Sequence, residues 1–228
     1  DTRDDTSMRI HGEARGPFTD GLRALTQTPL AEDLGPLARV MKVSGQSHLA
    51  LDIDLPFHHD AHMSVSGRLT WPEPAALGIL DTPFELTALK GEVRFTGQSL
   101  EARDLGAQLW GRPVRLAIAS EGVGDPDTSI TRIEAKAQTP SEELAKRFPS
   151  AAWRPLSGTL DWALEASLHN RDVSQQSLPL DLRLKSPLQG LAIDLPAPLG
   201  KPAASARELD LRGALIPGQS LAISGHLG

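Results

Sequence analysis

The chain has 228 residues, a net charge of −6, no cysteine and no tyrosine; 39% of its residues are hydrophobic and 4% aromatic. Disulfide and thiol chemistry are excluded, and the acidic balance argues against a nucleic-acid partner. Platforms that stack sugars or single-stranded bases have few rings to draw on.

No apolar run approaches the roughly 20 residues a membrane-spanning helix needs. The opening DTRDDTSM is polar and reads as no signal peptide, so an exported protein would carry its targeting segment outside this chain.

In chain order, Met8 to Ala14 reads as a short strand ended by Pro17. Asp20 is a candidate N-cap for a helical stretch bearing Leu22, Leu25, Leu30, Leu34, Leu37 and Val40. Pro29 and Pro36 divide it into two short helices, and Gly45 ends it. The period then changes to two. Leu49, Leu51, Ile53 and Leu55 alternate with His48, Ala50, Asp52 and Asp54, and Met63, Val65, Leu69 and Trp71 follow in the same phase. The two runs predict an antiparallel hairpin across Pro56–Ala61.

Pro72, Pro74 and Pro83 make the next connection irregular, with room for one helical turn. Leu86 to Phe95, Leu100 to Leu109, and Val114 to Ile118 read as three strands with turns at Gly97 and Gly111. Ile133 to Ala137 is a strand whose apolar side is small. Thr139-Pro140-Ser141-Glu142-Glu143 reads as a helix start: Thr139 as cap, proline first, then two acids near the positive end.

Leu160, Trp162, Leu164, Ala166 and Leu168 mark the longest regular strand. Leu178, Leu180, Leu182 and Leu184 form the next, and Leu191, Ile193 and Leu195 a short one beyond Gly190, stopped by Pro196 and Pro198. Leu209 to Leu215 and Leu221 to Leu227 complete about ten strands.

Chemistry-bearing clusters have simpler readings. His58-His59-Asp60-Ala61-His62 offers ligands of the right type for zinc or nickel, but it sits in a hairpin turn without helical spacing, which favours a solvated turn. Glu142-Glu143 is explained by the helix dipole before any acid–base pairing. Gly122-Val123-Gly124-Asp125 lacks a following phosphate-binding helix. Nothing in the sequence forms a nucleophilic, metal or phosphoryl-transfer constellation. The one-sided strands by themselves suit a closed β-sandwich, in which the apolar face is ordinary core.

Two stretches carry a family resemblance. Gly190-Leu191-Ala192-Ile193-Asp194-Leu195-Pro196-Ala197-Pro198-Leu199-Gly200-Lys201 is similar to a run found in the YhdP family, AsmA-like proteins of the Gram-negative envelope. Lys90 to Ser120 resembles the AsmA-like repeat in which short strands pass back and forth, closing on Gly111-Arg112-Pro113.

The resemblance implies a mostly β fold: a long curved antiparallel sheet forming an open apolar groove, or β-taco, with two or three short helices. Residues 1–228 would be a single interior periplasmic segment of a longer chain, anchored to the inner membrane by a part not present here. A short helical insert is expected near 20–42 and a short helix near 140–148. The implied role is non-enzymatic conduction of phospholipid between inner and outer membranes, with acyl chains and the two membranes as partners and no cofactor, metal or nucleic acid. The competing expectation is a periplasmic scaffold or interaction domain with a closed core.

The residues then expected to face lipid are the in-phase ones: Leu49, Leu51, Ile53, Val114, Leu116, Ile118, Leu160, Trp162, Leu164, Leu180, Leu182, Leu184, Leu191 and Ile193. Covering a C16 chain is worth on the order of 12 kcal/mol at roughly 0.8 kcal/mol per methylene. About ten strands at roughly 4.8 Å spacing would provide on the order of 50 Å of groove.

Overall fold

In the computed structural model, which describes residues 7–25, 41–57, 63–80, 82–122, 129–169, 180–215 and 222–228, the alternating stretches lie side by side as antiparallel strands. The elements are β1 (Ser7–Pro17), α1 (Phe18–Leu25), β2 (Met41–Ser44), β3 (Gln46–Pro56), β4 (Ser64–Thr70), β5 (Ala76–Ile79), β6 (Glu85–Lys90), β7 (Glu92–Thr96), β8 (Leu100–Leu109), β9 (Arg112–Glu121) and β10 (Ile130–Pro140). There follow α2 (Ser141–Arg147), a 3-10 turn (Ala151–Trp153), β11 (Leu156–His169), β12 (Leu180–Ser186), β13 (Leu191–Ile193), β14 (Leu209–Leu215) and β15 (Ala222–Leu227). Leucine and alanine are mediocre strand formers, so alternation and cross-strand packing, more than propensity, set this structure.

All 15 strands belong to one sheet, with the path β1-β3-β4-β7-β8-β9-β10-β11-β12-β14-β15. Among the described residues β1 and β15 pair on one side only, so the sheet is open. The remaining four strands are extensions of their neighbours. β2 runs into β3 through Gly45, and β6 into β7 through Gly91, both in the left-handed region. β8 has a register shift between Ala102 and Leu105.

These interruptions lie next to one another. A Cβ on Gly45 would stand 2.8 Å from the Ala75 Cα; Leu89 N–H donates to Ala75 O at 3.0 Å; a Cβ on Gly91 would stand 2.9 Å from Asp104 O. A bend line therefore crosses the strands from Gly45 to Asp104, because bulges and glycines concentrate bending. A second one crosses β11 at Gly158 and the β12–β13 run at Gly190, where Thr159 N–H donates to Gly190 O and Gly190 N–H to Ala203 O.

The number of strands exceeds the ten expected because of those bends. Leu86–Phe95 is two strands, β6 and β7, and the Pro72–Pro83 connection contains β5 and, among its described residues, no helical turn. Met41–Ser44 is strand β2, paired with β5, and not the end of a helical segment. Asp20 is inside α1, paired with Arg23 at 3.3 Å; the helix begins two residues earlier, at Phe18. Pro140, not Thr139, occupies the N-cap of α2, without a side-chain cap, and the Thr139 hydroxyl accepts the Trp162 indole N–H at 2.9 Å. β13 ends at Ile193, and Leu195 is exposed. The expected helix over Leu30–Val40, the His58–His62 turn, Leu178 and Leu221 lie outside the described residues.

The tightest core lies in the first part of the sheet. Leu49, Val65, Leu69, Val93, Phe95, Leu100, Ala102, Leu105 and Val114 are buried in one cluster. α1 closes it: Phe18 packs edge-on against Trp71 at 5.4 Å, and a Cβ on Gly21 would stand 3.3 Å from Leu69 Cδ1. Val43, Leu77 and Leu86 from the bent extensions join the same cluster.

Candidate functional site

Register partners in an antiparallel sheet project to the same side, so the pairing shows which residues share a face. One row runs Ala102, Ile118, Ile133, Ala166, Leu182, Gly213, Ile223 from β8 to β15. Beside it runs Leu105, Leu116, Ala135, Leu164, Leu184, Leu211, Gly225. At the other end of the sheet, Ala14, Leu49, Leu69 and Val93 form a row, as do Gly12, Leu51, Gly67, Phe95 and Leu100. These rows compose one apolar face from edge to edge.

The paired charges of the strands lie on the opposite face, and Arg112, the register partner of Leu109 at the end of β9, is in phase with the apolar one. Arg9 pairs with Asp54 at 3.5 Å, Arg68 with Glu92 at 3.1 Å, and Arg132 with Glu121 at 2.8 Å and Glu165 at 3.2 Å. His11 Nδ1 lies 2.8 Å from Asp52 Oδ1, and this contact raises the imidazole pKa above its ordinary value. Arg183 Nε donates to Asp210 at 3.0 Å and holds that carboxyl below the usual carboxylate range. A face whose rows are apolar, set against a face full of ion pairs, is the arrangement that keeps one side dry without burying unpaired charge.

Of the residues expected to face lipid, all but Leu191 and Ile193 lie on the apolar face. Leu49 and Val114 are buried in the core cluster; Leu51, Ile53, Leu116, Ile118, Trp162 and Leu164 are half-buried against it. Leu160, Leu180, Leu182 and Leu184 are half-buried beyond it, and Ile223 at the β15 edge is 62% exposed. Cover is thus tightest over β4 to β9 and diminishes towards both edges, with Ile10 on β1 43% exposed. Sequence reasoning missed Leu105, Ala135, Leu211 and Ile223 as members of these rows. Their signal is cross-strand register, which one strand read alone does not contain.

Leu191 and Ile193 belong elsewhere. β13 pairs with the start of β11, past the second bend line, and Leu191 is buried in a compact loop. Lys201, only 7% exposed, organises this loop. Its Nζ donates to Leu188 O at 2.8 Å, to Pro202 O at 3.1 Å and to Leu191 O. Burial, with Arg207 nearby, draws its pKa below the ordinary lysine value. Arg207 in turn donates to Leu199 O and Pro198 O, each at 3.0 Å. The motif Gly190–Lys201 is thus a chain-folding device built on backbone carbonyls.

A family model, YhdP protein, matches residues 1–228. The chain belongs to the YhdP family. A curated relative, the intermembrane phospholipid transporter YhdP of Escherichia coli (strain K12), is 22% identical over 200 residues, covering 87% of this chain. The match spans 15% of that relative's length. No solved structure matches the chain. Among the described residues no helix is long and apolar enough to cross a membrane.

Proposed function

We propose that this chain is a non-enzymatic, lipid-holding segment of a periplasmic envelope protein that moves phospholipid between the inner and outer membranes. Acyl chains lie on the apolar face, most accessibly on Leu160, Leu164, Leu180, Leu182, Leu184 and Ile223. The observation carrying this reading is the apolar face of an open sheet whose ion pairs sit on the other side, with Arg112 in phase with it only at the end of β9. Covering methylenes at roughly 0.8 kcal/mol each lowers the cost of lipid in water without any reaction. Aliphatic walls suit chains of varied length, because dispersion and burial carry no directional demand. Kinship to a phospholipid transporter supports the same reading.

The second reading, a closed scaffold, is favoured by the α1-capped cluster around Leu69 and Val93. It accounts for β3 to β8 and leaves the half-covered rows of β11 to β15 without a role. The test is purification of this chain from bacterial cells without detergent, followed by native mass spectrometry and lipid extraction. Phospholipid retained by the wild-type chain and lost in a folded Leu182→Asp variant is the expected result. A lipid-free wild-type chain that Leu182→Asp unfolds would establish the scaffold instead.

A further inference from the structure

The strand ends form two long rims, and the aromatic residues are partitioned between them. The pairs Pro17–Gln46, Thr70–Glu92, Leu109–Arg112, Pro140–Thr159, Ser186–Leu209 and Leu209–Leu227 place one end of every hairpin on a common rim. All four tryptophans belong to that rim or to its first rows: Trp71 after β4, Trp110 in the β8–β9 turn, Trp153 after α2, and Trp162 opposite Ala137. Phe18, Phe84 and Phe148 are there too. Of the five phenylalanines only Phe57 and Phe95 lie elsewhere. In a chain with 4% aromatics and no tyrosine, such one-sided placement is a property of the rim.

At its middle the rim carries a ring cluster. Phe84 stacks on Trp110 with centroids 5.8 Å apart, and Phe148 stands 5.6 Å from Phe84 and 6.1 Å from Trp110. Two of the indole N–H groups are tied into the protein here: Trp110 donates to Pro83 O at 2.8 Å and Trp153 to Phe148 O at 2.7 Å. The rings are therefore held as a platform, and Phe84 remains 42% exposed. The Arg147 guanidinium lies 5.7 Å from the Trp110 ring centroid, with Glu143 at 3.0 Å. Arg112, Lys146 and Arg154 are exposed within a residue or two of these rings.

Resting on the acyl-chain reading above, we propose that this aromatic rim is the headgroup side of the lipid site. Rings with an apolar body and a polar edge settle where hydrocarbon meets water. Guanidinium and ammonium groups beside them match a phosphate diester. The occupant is a phospholipid with its chains on the apolar face and its phosphate beside Trp110, Arg112 and Arg147. The opposite rim, where described, offers neutral Thr96, Gln98 and Ser99 at the β7–β8 turn and a single exposed ring, Phe57 after β3, with no basic group beside it among the described residues.

The test uses a variant keeping Trp110 alone (Trp71→Phe, Trp153→Phe, Trp162→Phe), loaded with phosphatidylcholine bearing a nitroxide on either the headgroup or the chain end. A larger loss of Trp110 fluorescence with the headgroup label is expected; equal loss, or more with the chain-end label, overturns the proposal. If that variant does not fold, the wild-type chain is loaded with a phospholipid bearing a photoreactive headgroup. Adducts should map to 80–85, 110–112 and 146–154, and adducts confined to 56–57, 63–64 and 96–99 overturn it. Lipid bound with the wrong orientation refutes only the rim assignment. A chain that retains no lipid refutes the acyl-chain reading on which it rests.

Discussion

His11 and Lys201 show how single side chains hold the periphery of this sheet. His11 joins the edge strand β1 to β3 through Asp52, with Glu13 adding a weaker attraction. Its folded pKa is raised above 6.5. The resulting stabilisation is complete below that ordinary value and is lost as pH rises through the raised one. Hydrogen exchange of β1 amides, corrected for intrinsic rates, should therefore be slower at about pH 5.5 than at about pH 8. Asp52→Asn should abolish the difference; protection independent of pH in the wild type would refute the role. Lys201 is held by three carbonyls; Leu188 O also accepts from Leu191 N–H and Pro202 O from Ser205, so removing the ammonium takes the side-chain donor chiefly from Leu191 O. Lys201→Met should cost roughly 1–3 kcal/mol, the cost of about one buried acceptor left unpaired. A denaturant midpoint equal to wild type would mean that the loop does not depend on this cation.

At the scale of elements, the bends decide how strands of ordinary pattern become a curved sheet. Gly158 sits at φ +110°, and a Cβ there would land on the Gly190 carbonyl. Gly158→Ala should lower stability by roughly 2–4 kcal/mol through strain and collision. The melting temperature should fall by about 2–4 °C for each kcal/mol in a chain of this size. Gly12→Ala is the control, because nothing lies within 4 Å of a Cβ there and its backbone is ordinary strand. It should be neutral or stabilising by under about 1 kcal/mol. Equal losses in the two variants would remove the bend line's special status. α1 is the other deciding element, because Phe18 and Gly21 bring it onto Ser47 and Leu69 and turn part of an open face into core.

Across the whole molecule the apolar face has two regimes, closed over the cluster that α1 caps and half-covered towards β15, with the β1 edge exposed as well, and a charge placed on it should report which. Val93→Asp, in the closed part, should unfold the chain, at a cost above about 4 kcal/mol. Leu182→Asp should cost roughly 1–2 kcal/mol, because water can reach the new carboxylate. It should also abolish retained phospholipid. Thermal unfolding and lipid extraction on both variants check this, and equal destabilisation would contradict the gradient of cover.

What the residues determined unaided was local: the alternation of Leu160–Leu168 and Leu180–Leu184 set strands with one dry side, since side chains alternate with a period of two whatever the neighbours. The breaks at Gly45 and Gly190 and the short helix after Pro140 were legible for the same reason. β2 and β5 were not, because four residues hold too little pattern to outweigh the prolines around them. Nor was the cap of α2, where the Thr139 hydroxyl accepts from Trp162, 23 residues away. Only tertiary structure decided that Leu116, Ala135, Leu164 and Leu184 form one row while Leu191 and Ile193 fall outside it. Register and bending are long-range properties, fixed by pairing partners that a single strand's sequence does not name.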